Sequence, residues 1–200
     1  MITLLKSGYV KIMKLFYKDK TIKLHFREIV RQAKLHEPST SRFLSNLESD
    51  KILVSETKGN LKEYFIKRSK NTYLIFESFD IEKFLRLPLI RRDAVEMYLD
   101  SLAIKPIFAI LFGSTAKENY REDSDIDIML VTNHKISTEK AQGEVNALTS
   151  INIGAFQIDY DSFLRDIKMK GDKVLQSAIN SGYPLINHIN YYEVLYNERV

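Results

Sequence analysis

The apolar residues in the first fifty positions recur with a helical period. Their spacing predicts one helix over about residues 8–18 and a second over about residues 25–34. Pro38 breaks the second pattern, and either Ser39 or Thr40 is a suitable cap for a third helix. We therefore expect three short helices before the first strands.

Two short runs with strand character follow the third helix. They cover Ile52–Thr57 and Glu63–Lys67, and a turn around Lys58-Gly59-Asn60 separates them. A Gly-Asn pair between two such runs is typical of a β-hairpin. The first part of the chain is therefore predicted to contain three helices followed by a hairpin.

The rest of the chain mixes helical and strand patterns. Strands are predicted at Ile107–Phe112, from Asp125 to Val131, at Ile153–Tyr160 and at Tyr183–Ile186. Helices are predicted at Arg91–Ala103 and at about 160–168 and 172–181. We expect an α+β fold in which helices flank a mixed sheet.

A length of 200 residues suits two small domains. The predicted division is a first domain over 1–70, a helical connector over 71–105 and a second domain over 106–200. The composition is that of a globular protein, and we expect neither a membrane span nor a secretory signal. The chain has no cysteine, which excludes disulfides and thiolate metal sites and is compatible with a cytoplasmic location.

Charge is distributed unevenly along the chain. Residues 1–70 contain 16 Lys and Arg against 7 Asp and Glu, whereas residues 106–200 contain 9 against 13. The basic part indicates a polyanionic partner, and the acidic part suits a site for cations. Solvated lysines on helix faces would produce the same asymmetry, so charge alone does not decide the partner.

Three helices followed by a hairpin resemble the winged helix-turn-helix domains of prokaryotic regulators. The resemblance implies that the helix after the turn enters the major groove of DNA and that the hairpin, or wing, lies along the backbone or the minor groove. It assigns base or phosphate contacts to Ser39, Thr40, Ser41, Arg42 and Asn46 on the helix and to Lys58, Asn60 and Lys62 on the wing. The same fold also serves as a protein-interaction or dimerisation module, and both interpretations stay open.

The residues with the most specific chemistry lie around two nearby aspartates. The strand Ile107–Phe112 ends at Gly113-Ser114, ten residues follow, and the next strand begins with Asp125-Ile126-Asp127. Alternation places the two carboxylates on one face of that strand. Two like charges so close repel each other unless a cation lies between them. Oxygen ligands without His or Cys favour Mg²⁺ or Mn²⁺.

The Gly-Ser turn has features that suit a phosphate group. Gly113 allows close approach of the backbone, Ser114 supplies a hydroxyl, and a helix that starts near Thr115 would direct its positive end toward the same point. Lys117 and Arg121 lie in the segment before the aspartates. They either contact a triphosphate or belong to a solvated surface.

This arrangement of strand, Gly-Ser, spacer and Asp-x-Asp resembles the nucleotidyltransferase superfamily of DNA polymerase β type, and most of all its minimal branch. The resemblance implies a site for Mg²⁺ and a nucleoside triphosphate, including ATP. It also implies a third carboxylate on a later strand, facing the pair. Asp159 is the preferred candidate for that position, and Gln157 is the alternative. A winged helix joined to such a domain is a layout of archaeal proteins.

Two functions follow from the resemblance. The first is an enzyme that transfers a nucleoside monophosphate from a triphosphate to an acceptor hydroxyl, which belongs to a protein, a nucleic-acid end or a small molecule. The second is a transcriptional regulator or antitoxin-like protein that senses nucleotide and pairs with a separate toxin. Intact carboxylates favour the enzyme, and Gln157 in the third position would favour the sensor. A homodimer that reads two DNA half-sites is also expected.

Overall fold

The computed structural model describes residues 7–169 and 171–198, and its chain separates into two compact units. The first extends to Phe79 and the second begins at Asp80. Within the described residues, no helix has the length and apolar character needed to cross a membrane.

The first unit contains helices and a small antiparallel sheet. Its elements are α1 (Ser7–Lys18), β1 (Leu24–His25), α2 (Phe26–Ala33), α3 (Glu37–Ser49), β2 (Leu53–Lys58) and β3 (Leu61–Ile66), and α4 (Lys70–Leu85) crosses the boundary between the units. The strand order is β1-β3-β2. The predicted three helices and hairpin are confirmed. The two-residue β1 was not predicted, because so short a strand has no alternating pattern.

The core of the first unit is built from the apolar faces of its three helices. Ile12 and Phe16 of α1, Ile29 of α2, and Leu44 and Leu47 of α3 are almost fully buried. These residues recur at the helical spacing seen in the sequence. Burial of this shared face stabilises the unit and leaves the polar faces of the helices in solvent.

The third helix begins earlier than its sequence predicts. It starts at Glu37 with His36 as the preceding cap residue, so Pro38 lies in the first turn. Proline is tolerated there because the first turn has no intrahelical acceptor for its missing N–H. Thr40 is fully buried, and its hydroxyl donates to the His36 carbonyl at 3.0 Å. The prediction that Ser39 or Thr40 caps this helix is therefore wrong.

The boundary between the units falls inside the segment 71–105 that was predicted as one connector. The first half of α4 belongs to the first unit, where the ring of Tyr17 lies 5.5 Å from that of Phe76 and 5.2 Å from that of Phe79. The helix at 89–101 belongs to the second unit, since its buried Val95 and Tyr98 are part of that unit's core. The predicted connector is therefore not a separate element, because its first part belongs to the first unit and its second part to the second.

The second unit is a mixed four-stranded sheet with helices. Its elements after α4 are α5 (Leu89–Ser101), β4 (Phe108–Phe112), α6 (Gly113–Ala116), β5 (Ile126–Thr132), α7 (Glu139–Thr149), β6 (Ile153–Asp159), α8 (Tyr160–Met169), α9 (Lys173–Ser181), β7 (Tyr183–Ile186) and α10 (His188–Glu198). The strand order is β6-β5-β4-β7, with β5 and β6 parallel and the other pairs antiparallel. The predicted α+β fold is confirmed. The helix α7, which was not predicted, supplies the crossover that a parallel pair needs.

Helices cover both faces of this sheet. On one face, Ala109, Leu111 and Leu130 join Val95 of α5 and Val145 of α7 in a single apolar core. On the other face, the ring of Phe108 lies 5.1 Å from Phe163 of α8 and 5.6 Å from Tyr191 of α10. The central strands β4 and β5 are consequently almost entirely buried. The polar residues at their ends then require a separate explanation.

Candidate functional site

Asp127 lies on a central strand of the second unit. It pairs with Phe112 at the end of β4 on one side and with Gly154 of β6 on the other. Asp125 directly precedes β5, two residues before Asp127, and alternation directs both carboxylates to the same side of the sheet. Asp125 is exposed, whereas Asp127 is partly buried.

The pair is electrostatically unfavourable in the absence of a cation. Burial raises the pKa of the Asp127 carboxyl, and the negative charge of Asp125 raises it further. Both effects act against the ionised form of Asp127. A divalent cation between the two carboxylates would reverse both effects, because it supplies the missing positive charge.

Two glycines leave room for the Asp127 carboxylate. Gly113 has a φ of 70°, and a Cβ at this position would overlap Oδ2 of Asp127. A Cβ at Gly154 would lie 3.0 Å from Oδ1 of the same carboxylate. The backbone of the β4–α6 turn and the backbone of β6 therefore approach Asp127 from two sides, and any side chain at 113 would displace it.

The Gly-Ser turn forms the start of a single helical turn. The helix α6 begins at Gly113, two residues earlier than predicted, and ends at Ala116. Ser114 lies in this turn beside Gly113, and Lys117 is its exposed C-terminal cap residue. Arg121 is exposed in the loop between α6 and β5. The chain thus brings Gly113 to Asp127, and it presents both cationic side chains to solvent.

The structure corrects the prediction that Asp159 completes the site. In the parallel pair of β5 and β6, Asp127 is level with Gly154, whereas Asp159 is level with Thr132 at the far end of the strand. Paired residues point to the same face of a sheet, so Asp159 and Asp127 lie on opposite faces. The Asp159 carboxylate instead accepts a hydrogen bond from the Ser162 backbone at 3.0 Å, and hydrogen bonds from Ser162 lower its pKa.

The alternative third residue, Gln157, is also directed away from the pair. Its side-chain amide is bonded to the backbone of Ile136, accepting from the N–H at 2.9 Å and donating to the carbonyl at 2.7 Å. This contact holds the segment before α7 against the opposite face of the sheet. Neither residue considered from the sequence therefore lies beside Asp127, where β6 carries Gly154.

The site suits a divalent cation that is held partly by the two aspartates and partly by oxygen atoms of a bound molecule. Among the described residues, no group of three or more His, Cys, Asp or Glu is placed to hold a metal ion. Asp125 and Asp127 would supply two hard oxygen donors, and Mg²⁺ prefers six oxygen ligands. The remaining positions suit phosphate oxygens and water, which is the usual arrangement for Mg²⁺ in phosphoryl-transfer sites.

Sequence reasoning missed one residue of this region, Arg91 of α5. Its side chain is almost fully buried, and it donates hydrogen bonds to Thr115 of α6 and to the loop that leads to Asp125. Burial lowers the pKa of the guanidinium, yet arginine stays charged in proteins. A signal was present in the sequence, because Arg91 falls on the same helical stripe as the apolar residues Val95 and Tyr98. A charged residue on such a stripe needs buried partners.

The residues assigned to DNA contact lie on α3 and on the β2–β3 hairpin. Ser41, Arg42, Asn46, Lys58, Asn60 and Lys62 are exposed, Ser39 is partly buried, and Thr40 is buried. Burial makes Thr40 unsuitable as a contact residue, which corrects that part of the prediction. Asn46 also donates to the Tyr9 hydroxyl at 2.5 Å.

Two cations of the hairpin have acidic neighbours in the same unit. The Lys62 amine lies 2.9 Å from a Glu48 carboxylate oxygen, and the Lys58 amine lies 3.3 Å from Glu63. Burial is the largest single influence on the pKa of Lys62 and acts to lower it, but the hydrogen bond to Glu48 and the charge interactions with Tyr64 and Glu48 together outweigh burial and raise the pKa. Both side chains are substantially exposed, so these surface ion pairs are weak and exchange readily with other anions.

One comparison with known protein families concerns the second unit. Residues 96–188 match the family model described as polymerase beta, nucleotidyltransferase. The matched segment contains β4, β5 and β6 together with both aspartates, and the match supports its assignment to the nucleotidyltransferase superfamily. It likewise supports activity of the nucleotidyltransferase type.

No curated protein matches the chain. Among solved structures, the chain is similar to Sso10a-2, a DNA-binding protein from Sulfolobus solfataricus, at 20% sequence identity. That similarity covers 44% of this chain and 86% of the other, with a TM-score of 0.31.

Proposed function

We propose that the second unit binds a nucleoside triphosphate together with Mg²⁺ and transfers the nucleoside monophosphate to an acceptor hydroxyl. The observation that carries this proposal is the position of Asp127. Its carboxylate lies against the Gly113 turn and beside Asp125, within the segment that matches the nucleotidyltransferase family. A carboxylate pair next to a close backbone turn suits a cation and a phosphate group at the same time.

Each residue of the site has a role in this proposal. Asp125 and Asp127 would hold the cation, and the bound cation would neutralise charge at the α-phosphate as pyrophosphate leaves. The Gly113 turn admits phosphate oxygens close to the backbone, and the Ser114 hydroxyl donates to them. Lys117 and Arg121 are exposed cations near the turn and would contact the triphosphate. Their exposure to solvent suits a role in capture of the triphosphate rather than in chemistry.

We propose further that the first unit is a winged helix that binds DNA. Support comes from the order of its elements, in which three helices and a short strand precede a hairpin. It also comes from the excess of Lys and Arg in residues 1–70. In this arrangement α3 would enter the major groove with Ser41 and Arg42 exposed, and the hairpin residues Lys58, Asn60 and Lys62 would contact phosphates.

A second candidate function is nucleotide sensing by a regulator or antitoxin-like protein. The observation that favours it is Gly154, since β6 contributes no carboxylate beside Asp127. A site with two carboxylates has no third acidic group to act as a base for the acceptor hydroxyl. Such a site would bind Mg²⁺ and nucleotide and transfer slowly, and the DNA-binding unit would deliver the response. A protein acceptor, a toxin partner and a homodimer are further parts of this proposal.

Thermal unfolding with Mg²⁺ and each nucleoside triphosphate tests binding without knowledge of the acceptor. A ligand at about 100 times its dissociation constant adds about 2.7 kcal/mol to the free energy of unfolding. For a chain of this size the midpoint should rise by roughly 5–11 °C. The rise should require Mg²⁺ and disappear in Asp125→Asn/Asp127→Asn, whereas Asp159→Asn should keep it, because Asp159 lies on the opposite face.

Incubation with α-labelled nucleoside triphosphate then separates the two candidate functions. Labelled product that disappears in the double variant supports the transferase. A midpoint shift without labelled product favours the sensor. A folded wild-type protein that shows no shift with any nucleotide contradicts both.

A further inference from the structure

Arg91 of α5 holds the loop between α6 and β5 by its backbone. Its guanidinium donates to the carbonyl of Arg121 at 2.9 Å, to that of Glu122 at 3.2 Å and to that of Ser124 at 2.8 Å. One side chain thus reaches three carbonyls that are 30 to 33 residues away in sequence. The planar fork of arginine suits this task, since several donors are fixed relative to one another.

The same guanidinium makes two further contacts in this region. It donates to the Thr115 hydroxyl at 3.0 Å, and its central carbon lies 4.0 Å from the centre of the Tyr120 ring. The Thr115 hydroxyl in turn is 3.5 Å from the carbonyl of Asp125. Arg91 therefore contacts the start, the middle and the end of the segment that leads from the Gly-Ser turn to Asp125.

This network bears on one aspartate of the pair more than on the other. Asp127 lies within β5, and hydrogen bonding to β4 and β6 on both sides determines its position. Asp125 precedes the strand and lies outside the ladder. Its position depends on the preceding loop, whose last carbonyl, that of Ser124, accepts from Arg91. The ladder therefore holds the backbone at Asp127, and Arg91 holds the backbone of the segment that ends at Asp125.

We propose that Arg91 is a positioning residue that sets the geometry of Asp125 for cation binding. This inference rests on the function proposed above, because it concerns the same site. It extends that function to a buried residue outside the glycine-serine turn and the aspartates. Arg91 touches neither a phosphate nor the cation in this role and acts only through the backbone of residues 121–125.

Arg91→Lys tests the proposal, with Arg92→Lys as the matched control on the next position of α5. A lysine amine has no fixed fork and cannot serve four separated acceptors at once. Affinity for Mn²⁺ is measured by electron paramagnetic resonance, in the presence of a non-hydrolysable analogue of each nucleoside triphosphate in turn. Loss of a supporting partner of a metal ligand lowers metal affinity about 10–100-fold. We expect a loss in this range for Arg91→Lys and an unchanged affinity for Arg92→Lys.

A double-mutant cycle separates positioning from general destabilisation. If Arg91 acts through Asp125, Arg91→Lys should add little to the loss already caused by Asp125→Asn. Hydrogen exchange of the amides of residues 117–125 should also be faster in Arg91→Lys, while β4 and β5 stay protected. A change in unfolding alone, without loss of Mn²⁺ affinity, is the result expected of a purely structural arginine.

The outcomes distinguish the inference from the function on which it rests. Wild-type protein that binds no Mn²⁺ with any of the nucleotide analogues overturns the proposed function, and the positioning role fails with it. Normal wild-type binding with unchanged affinity in Arg91→Lys overturns the positioning role alone. Fully additive losses for Arg91→Lys and Asp125→Asn overturn it as well, since independent effects mean that Arg91 does not act through Asp125.

Discussion

Gly154 of β6 lies beside Asp127 of β5, and a Cβ at position 154 would lie 3.0 Å from the Asp127 carboxylate. The strand that neighbours the aspartate pair thus approaches it with backbone alone. This relationship limits the number of carboxylates in the site to the two from the β5 segment, among the residues that the structure describes. The cation would then depend on the nucleotide for its remaining ligands.

A carboxylate introduced at Gly154 should strengthen cation binding. In Gly154→Asp, the third negative charge should destabilise the metal-free protein relative to Gly154→Asn, by roughly 1 kcal/mol or 2–4 °C in the unfolding midpoint. With Mn²⁺ bound, Gly154→Asp should be the more stable of the two variants. Its affinity for Mn²⁺ without nucleotide should be about tenfold higher than that of Gly154→Asn, since ligand charge and ligand number govern affinity. Titration with Mn²⁺ in both variants measures the effect. Equal affinities would show that position 154 does not face the cation.

The stability of the metal-free protein should depend on pH through Asp127. Its folded-state pKa is raised by burial and by Asp125, so the folded state holds this proton more tightly than the unfolded state does. The associated stability is complete below the unfolded pKa of about 4 and is lost as pH rises through the folded pKa. Asp127→Asn should therefore unfold at a higher temperature than wild type at pH 7 in EDTA, and the difference should shrink below pH 4.

Mg²⁺ and nucleotide should reverse the difference in unfolding temperature between wild type and Asp127→Asn, and this reversal is the control for the pH effect. Ligand should stabilise wild type at pH 7 and leave Asp127→Asn unchanged. Scanning calorimetry from about pH 3 to pH 8, with and without ligand, measures both effects. A lower midpoint for Asp127→Asn at neutral pH in EDTA would contradict the stated electrostatic cost.

Gly113 should not tolerate a side chain. Alanine at this position meets both a left-handed backbone, with φ of 70°, and the Asp127 carboxylate. The left-handed backbone conformation alone should lower the free energy of unfolding of Gly113→Ala by about 1–2 kcal/mol. Gly143 of α7 is the matched control, since a Cβ there meets nothing within 4 Å. Gly143→Ala should stabilise by about 0.5–1 kcal/mol. Urea unfolding of both variants measures the contrast, and equal free energies of unfolding would contradict it.

Binding of duplex DNA should depend on residues of the first unit in two different ways. Lys58→Ala should weaken binding to all sequences and reduce the slope of log K against log salt by about 0.9 for one lost phosphate contact. Arg42→Ala should instead reduce discrimination between a preferred site and random DNA by about 1–3 kcal/mol. Lys140→Ala in the second unit is the control, and fluorescence anisotropy at several salt concentrations measures all three. If Lys140→Ala and Lys58→Ala weakened DNA binding equally, binding would reflect the overall positive charge of the protein and not contacts of the first unit.

The sequence by itself determined the local features of this protein. Helical periods predicted the helices of the first unit, a Gly-Asn turn predicted its hairpin, and Gly-Ser with Asp-x-Asp located the candidate site. These features depend on residues within a few positions of one another, where backbone preferences and side-chain alternation act directly. The start of α3 was misplaced because Pro38 fits the first turn of a helix as well as it ends one.

Only the tertiary structure decided which distant residues meet the aspartate pair. Alternation along β6 shows that Gln157 and Asp159 share a face, but it does not show which face of β6 meets Asp127. The register between β5 and β6 decides that question, and it places Gly154 there. The same holds for Arg91, whose acceptors lie 24 to 33 residues away. Register and long-range hydrogen bonds arise from the packing of whole elements, so a local pattern does not contain them.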